Sequence, residues 1–304
     1  MQKSTPLISV AMATYNGEKY IAKQLESILA QTYGPIEIVI TDDASTDNTV
    51  QLIEKFQKDH GCIKLLKNEH NRGVNKTFEN SFLNCSGDFI AISDQDDIWE
   101  LHKIETLLKE LGDEDAIYSN SLLVDKKGNS LNKEFKSLMK LQSYFDGAPF
   151  LMGNCVPGHT ILMKTVFARN VLPLPEDMMF DRWISFCAAS NNGLKYVDSP
   201  LVRYRQHENN LVGTGKTKNR KKRKTNKEKY YLKLADLKTF QQAPILNEST
   251  RQILDTMIRL FTRKLSLHRG LFFLKNMEQL LVIKNKPKFR KVLYCFKMVF
   301  KPNY

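Results

Sequence analysis

Four short apolar runs, each leading into a segment of helical spacing or an acidic turn, fill residues 6–97, and this alternation constrains the fold more than any other feature. Leu7–Met12, Ile36–Ile40, Ile63–Leu66 and Phe89–Ser93 read as strands. Between them, Glu18–Gln31 carries Ile21, Leu25, Ile28 and Leu29 on one helical face. A second helix carries Val50, Ile53 and Phe56, with Ser45 or Thr46 set to cap it, and Val74–Leu83 is a third. A helix is also expected from Glu100 onward. Repeated β-α units of this length give an α/β fold whose sheet is mostly parallel and doubly wound.

Such sheets bind ligands beyond the carboxyl ends of their strands. Two acid-rich turns fall there, Asp42-Asp43-Ala44-Ser45 and Ser93-Asp94-Gln95-Asp96-Asp97. Two carboxylates about 5 Å apart repel by roughly 3 kcal/mol at an effective dielectric near 20. Three in four residues therefore need full solvation or a cation. The all-oxygen donor set suits Mg²⁺ or Mn²⁺, completed by water and substrate phosphates. The residues alone leave open a plainer reading, a solvated turn with Asp97 capping the next helix. At Asp42-Asp43, contact with a ribose or base likewise stands beside simple turn chemistry. The first loop, Thr14-Tyr15-Asn16-Gly17, lacks G-x-G-x-x-G, which counts against a dinucleotide cofactor.

Beyond residue 120 the pattern loosens. Lys126-Lys127-Gly128-Asn129 reads as a hairpin turn, and Lys133 to Gly147 as a polar connection. A Pro/Gly loop holding Gly158 precedes the apolar Ile161-Leu162-Met163. Asp181 opens a helix running through Ala189, where a lone acid is either a cap or a reactive group. His207 follows the last apolar segment, Pro200–Arg205.

The net charge of +13 is unevenly spread. Residues 213–304 hold 24 Lys and Arg against 5 Asp and Glu, whereas residues 1–212 hold 22 against 28. A mildly acidic body thus carries a strongly basic appendage, which implies an anionic partner. Five scattered cysteines without a C-x-x-C pair fit a reduced compartment and argue against a zinc site. The start lacks a signal-peptide apolar core, and no stretch approaches the roughly 18 apolar residues of a membrane span. The expected location is cytoplasmic.

In this order, the residues over roughly 6–212 resemble a family 2 glycosyltransferase of the GT-A fold. The first strand and Thr14-Tyr15-Asn16 resemble the family's nucleotide-contacting loop, and Asp42-Asp43 its base- and ribose-contacting turn. Asp94-Gln95-Asp96 resembles the D-x-D metal motif; the longer Ser93–Trp99 version is similar to bacterial rhamnosyltransferase-like members. The resemblance implies Asp96 and His207 at a metal, Asp94 facing the ribose or a metal-bound water, and Gly158 beside the donor sugar. Asp43 is expected at the base or ribose, with Asp42 a neighbour or cap, and Asp97 behind them. Asp181 falls at the catalytic base of inverting members, although Phe180 stands where related members often have His. The Q-x-x-R-W motif and membrane helices of processive members are absent. These features imply transfer of one sugar from a nucleotide-sugar donor, dTDP-rhamnose or a UDP-hexose, to a glycan or lipid-linked acceptor in bacterial surface polysaccharide synthesis. A noncatalytic sugar-nucleotide or glycan-binding protein of the same fold is the alternative.

The expected organisation is a catalytic domain over 1–212, a basic linker over 213–229 and a helical, basic region over 230–304. Gly213-Thr214-Gly215-Lys216-Thr217 imitates a phosphate loop but lacks its first Gly, since Asn210 holds that position. Helices are expected over Tyr230–Gln241 and Arg251–Ile283, with another apolar patch at Val292–Phe300. Ile253, Leu254, Met257, Ile258, Phe261 and Leu265 form one apolar face. Either these helices pack on the catalytic domain, or they lie on an anionic membrane surface at the inner face of the cell membrane. No nucleic-acid recognition motif accompanies the charge, so nucleic acid is not expected as a partner.

Overall fold

The computed structural model describes residues 5–207, 226–262 and 266–300. Four parallel strands, β1 (Ile8–Thr14), β2 (Ile36–Asp42), β3 (Ile63–Lys67) and β4 (Phe89–Ser93), lie in the order β3-β2-β1-β4. They alternate with α1 (Ile21–Leu29), α2 (Thr49–Asp59) and α3 (Val74–Asn84). Side chains on a strand alternate between faces, and the core divides accordingly. Ile8, Val10 and Met12 pack with Ile21, Leu25 and Ile53 on one side, while Ala11 and Val39 meet Phe78 and Phe82 on the other. The chain reverses its direction of winding at β1, which has β2 on one side and β4 on the other. A ligand crevice opens at such a switch point.

The second half of the sheet is mixed. It adds β5 (Ile98–Trp99), β6 (Ala116–Val124), β7 (Ser130–Glu134), β8 (Ile161–Lys164) and β9 (Leu194–Arg205) in the order β4-β8-β6-β9-β5, with β7 on β6. The expected helix at Glu100 begins later, as α4 (Lys103–Glu110), because Ile98 and Trp99 pair antiparallel with Arg203 and Val202. α2 is likewise not capped by Ser45 or Thr46. Asp47 accepts from Thr49 N at 3.0 Å, and Ser45 turns back toward Asp42.

After α5 (Thr165–Asn170) and α6 (Phe180–Ala189) come the C-terminal helices, α7 (Asn226–Gln241), α8 (Glu248–Phe261), α9 (Leu267–Lys275), α10 (Met277–Leu280) and α11 (Lys288–Val299). The single helix expected over 251–283 is therefore broken. Asn247 caps α8 and Ser266 caps α9 through their side chains. The buried Arg269 donates to Leu260 O at 2.9 Å and Met298 O at 2.6 Å, satisfying carbonyls at the ends of two helices. Leu237, Phe240, Leu254, Met257 and Phe261 join the same apolar cluster as Trp183 and Phe186 of α6, so these helices pack on the catalytic body. Most of the expected basic linker, and the phosphate-loop imitation within it, lie outside the described residues.

Candidate active site

A cleft of about 1130 Å³ opens beyond the carboxyl ends of β1 and β4, and residues 154–159 and the start of α6 also line it. It is lined by Thr14, Tyr15, Asn16, Asp43, Asp94, Asp96, Gly158, Asp181 and His207, residues far apart in sequence. Asp42 is not among them, so of the two acids in that turn only Asp43 reaches the cleft. The Asp42 carboxylate is buried and accepts from Thr14 Oγ1 (2.9 Å), Ser45 N (2.8 Å) and Ser45 Oγ (2.6 Å), so it holds the turn together as a cap. Asp43 lies on the wall, and its carboxylate also organises a loop. It accepts from Asn68 Nδ2 and Arg72 N, both at 2.8 Å, and from Gly73 N at 2.9 Å.

Gln95, the middle residue of the D-x-D motif, ties two loops together. Its Oε1 accepts from Tyr15 N at 2.9 Å and its Nε2 donates to Tyr15 O at 3.1 Å. A Cβ at Gly17 would sit 2.3 Å from that Oε1, so glycine is needed for the approach. Gly158 is explained in the same way. A Cβ there would lie 2.7 Å from the Phe180 ring, which itself packs 4.3 Å from Phe78. Phe180 thus supports the floor of the cleft beside Asp181.

Asp96 Oδ2 lies 2.7 Å from His207 Nε2, and the imidazole stacks on Tyr20 with centroids 5.0 Å apart. Arg205, buried below, donates through Nε to Asp96 O (2.7 Å) and through its backbone N to Asp97 Oδ1 (2.9 Å). A second group, Asp94, Asp97 and His159, brings one ligand atom from each residue within 4.8 Å of the others. His159 Nδ1 is 3.5 Å from Asp94 Oδ2 and 3.6 Å from Asp97 Oδ2, while its Nε2 is 3.0 Å from Ser121 Oγ. Both groups carry carboxylates, the oxygen donors that suit Mg²⁺ or Mn²⁺, beside one imidazole. They differ in what surrounds them. Asp96 and His207 line the cleft, where phosphates could complete the coordination, and so do Asp94 and His159, whereas Asp97 is fully buried behind them. Beside the second group, the buried Lys103 donates to His159 O at 2.8 Å and lies over the Trp99 ring at 3.4 Å. Burial pulls the Lys103 ammonium down, against the attraction of Asp97 and Asp94, and pushes the Asp97 carboxyl up. His159 and Lys103 carry no motif in the sequence; only the Asp97 triplet signalled the place.

Asp181 sits in the first turn of α6 with Oδ1 accepting from Arg182 N at 2.6 Å. Burial raises its carboxyl to about 7, and Asp94 adds to the rise against the opposing effects of the Arg182 N–H, His159 and Arg182. Arg182 points away from it, into the C-terminal region. Its NH1 donates to Asp236 Oδ2 on α7 at 2.7 Å and its Nε to Phe150 O at 3.0 Å. A carboxyl near neutrality at the edge of an acidic, imidazole-bearing cleft is suited to taking a proton from a hydroxyl.

Residues 9–169 match the family model described as Glycosyl transferase family 2. The chain belongs to that family. It is a glycosyltransferase. The dTDP-rhamnosyl transferase RfbG of Shigella flexneri is 33% identical to it over 212 residues, covering 66% of this chain and 73% of the relative. The glycosyltransferase fold recurs in the structure of S. aureus TarS 1-349 with UDP-GlcNAc, at a TM-score of 0.60 and 18% identity, covering 95% of this chain and 79% of that one. A mannosyltransferase of Pyrobaculum calidifontis in complex with GDP-Man and Mn²⁺ aligns at a TM-score of 0.54 and 15% identity, covering 84% of this chain and 70% of that one. The family match ends before Asp181 and His207, so the cleft is completed by a part of the glycosyltransferase that the family model does not reach.

Proposed function

We propose that this glycosyltransferase moves a single sugar, with inversion, from a nucleotide-sugar donor to a glycan or lipid-linked acceptor in bacterial surface polysaccharide synthesis. The carrying observation is the convergence on one cleft of the acidic turn at 94–96 with Asp181, whose carboxyl stands at about 7. The likeness to a dTDP-rhamnosyl transferase and the fold shared with a UDP-GlcNAc complex support dTDP-rhamnose or a UDP-hexose as donor.

The loop Thr14-Tyr15-Asn16, fixed by Gln95, and Asp43 would hold the nucleoside. Asp96 and His207 would hold a divalent ion, with Asp94 beside them and Gly158 near the sugar. When bound, that ion would supply positive charge to the leaving diphosphate. Asp181 would accept the proton of the acceptor hydroxyl as that oxygen attacks the anomeric carbon and the bond to the diphosphate breaks. The sugar passes through an oxocarbenium-like state, and the attack from the face opposite the leaving group inverts the anomeric centre. The cytoplasmic, membrane-peripheral location expected from a lipid-linked acceptor belongs to the same proposal. No helix among the described residues is long and apolar enough to cross a membrane.

Calorimetry of nucleotide sugars with and without Mn²⁺ tests the donor site. Asp96→Ala should lose the Mn²⁺-dependent part of the affinity and its turnover. Unchanged affinity in Mn²⁺ would contradict the assignment.

A further inference from the structure

α9 and α11 pack side by side, and each buries one face. Gly270 and Phe273 of α9 and Cys295 and Met298 of α11 are buried. A Cβ at Gly270 would lie 2.3 Å from Val299 Cγ2, which fixes the line of closest approach. The helices run antiparallel, because Ser266, at the start of α9, donates its N–H to Val299 O at the end of α11.

Their outer faces should be polar if water covers them, and they are not. α9 presents Leu267, Leu271 and Leu274, spaced by four and three residues. α11 presents Phe289, Leu293, Phe296 and Phe300, spaced by four, three and four. All seven are between 40% and 69% exposed. At about 100° per residue, each stripe lies roughly a quarter-turn from the line of contact, in the same rotational sense about its own helix. Antiparallel packing turns equal offsets toward the same side, so the two stripes form one continuous patch. A patch of this extent marks an interaction surface.

The patch is ringed with positive charge. Residues 266–300 hold eight Lys and Arg against one acidic residue, Glu278. Lys275, Lys286, Lys288, Arg290 and Lys297 are exposed. A second copy of this chain is a poor occupant, since a two-fold contact would set the same basic rims against each other. A nucleic acid would match the charge but leave four leucines without a base to stack on.

We propose that the outer face of α9 and α11 docks on an anionic lipid surface. The Leu and Phe side chains sink between the headgroups, and the flanking Lys and Arg contact the phosphates. The helices lie in the interface and do not span it. The docking deepens the proposed use of a lipid-linked acceptor, since it would hold the cleft beside the bilayer that carries such an acceptor.

The test is co-sedimentation of the full chain with vesicles of phosphatidylcholine alone, or of an equal mixture of phosphatidylcholine and phosphatidylglycerol. The wild type should pellet with the mixed vesicles, more weakly at high salt, and far less with phosphatidylcholine. The triple variant Leu271→Ser, Leu293→Ser, Phe296→Ser should lose about tenfold or more in partition to the mixed vesicles. Lys288→Glu with Arg290→Glu should lose a similar factor. All positions are exposed, so folding should be kept, and thermal melting checks this. Donor turnover without vesicles, read as nucleoside diphosphate release, should be unchanged in both variants. If no preparation turned over donor while vesicle binding followed this pattern, the catalytic reading would fail and the docking would stand. Equal pelleting of wild type and variants overturns the docking. So does a dimer in sedimentation equilibrium that the triple variant dissociates without change in vesicle binding.

Discussion

Replacing Asp181 with Asn should slow transfer sharply and stabilise the protein, and both halves follow from one buried carboxyl. The carboxyl rises from its ordinary 3.8 to about 7, mainly through burial, with Asp94 adding to it. Each unit corresponds to about 1.36 kcal/mol, so holding the group ionised in the folded state costs about 4 kcal/mol at most. The side chain opens on the cleft, and solvent there relieves part of this, so about 2 kcal/mol is the working figure. The folded state binds more protons than the unfolded one between pH 3.8 and about 7. Wild-type stability from this group is therefore full below that window and falls as pH rises through it. Asn has the same shape, keeps an oxygen to accept from Arg182 N, and carries no charge at any pH. Its melting temperature should match the wild type near pH 4 and exceed it by roughly 4 °C or more at pH 8. Transfer should fall by a factor of about 10² to 10⁴, with donor affinity kept. In the wild type, kcat/KM should drop by about tenfold per pH unit below about 7, because the base must be ionised to act. Melting curves from pH 4 to 8 beside steady-state assays decide the matter. An Asp181→Asn protein that melts lower at pH 8, or that turns over at the wild-type rate, would refute the reasoning.

Gln95→Ala removes both hydrogen bonds to Tyr15. At about 1 kcal/mol each, the donor KM should rise roughly tenfold or more, with a fall in melting temperature of roughly 4 °C at most. An unchanged KM would mean that the first loop holds its shape without the clamp. Asp236→Ala breaks the 2.7 Å ion pair to Arg182, which is only partly buried. Amide exchange in α7 should speed up by about fivefold, corresponding to roughly 1 kcal/mol, while the β1–β4 sheet stays protected. Equal protection of α7 in wild type and variant would show that apolar packing alone docks that helix.

What the sequence determined by itself is whatever has a local period or a local cause. Alternation of apolar runs named the four parallel strands and their helices, because side-chain direction repeats every two residues in a strand and every 3.6 in a helix. Crowded carboxylates at 94–97 named a place of chemistry, since like charges that close need a partner. The charge split set a strongly basic 213–304 against a mildly acidic 1–212 without any geometry. Through the resemblance, Asp43, Asp96, Asp181 and His207 could be marked, although nothing local says that they meet.

Tertiary structure decided what depends on contacts between distant segments. Gln95 becomes a clamp only because β1 and β4 are neighbours in the sheet. Lys103 and His159, ordinary in sequence, are buried together beside Asp97 because α4 and residues 158–160 cross behind the acidic turn. Asp42 and Asp43 are adjacent in the chain, yet one faces inward as a cap and the other lines the cleft, since successive side chains at a strand's end point to opposite sides. The apolar residues of 266–300 read alike in sequence. Only the antiparallel packing of α9 on α11 sorts them into a buried seam and a bare outer face, because burial belongs to the neighbour as much as to the residue.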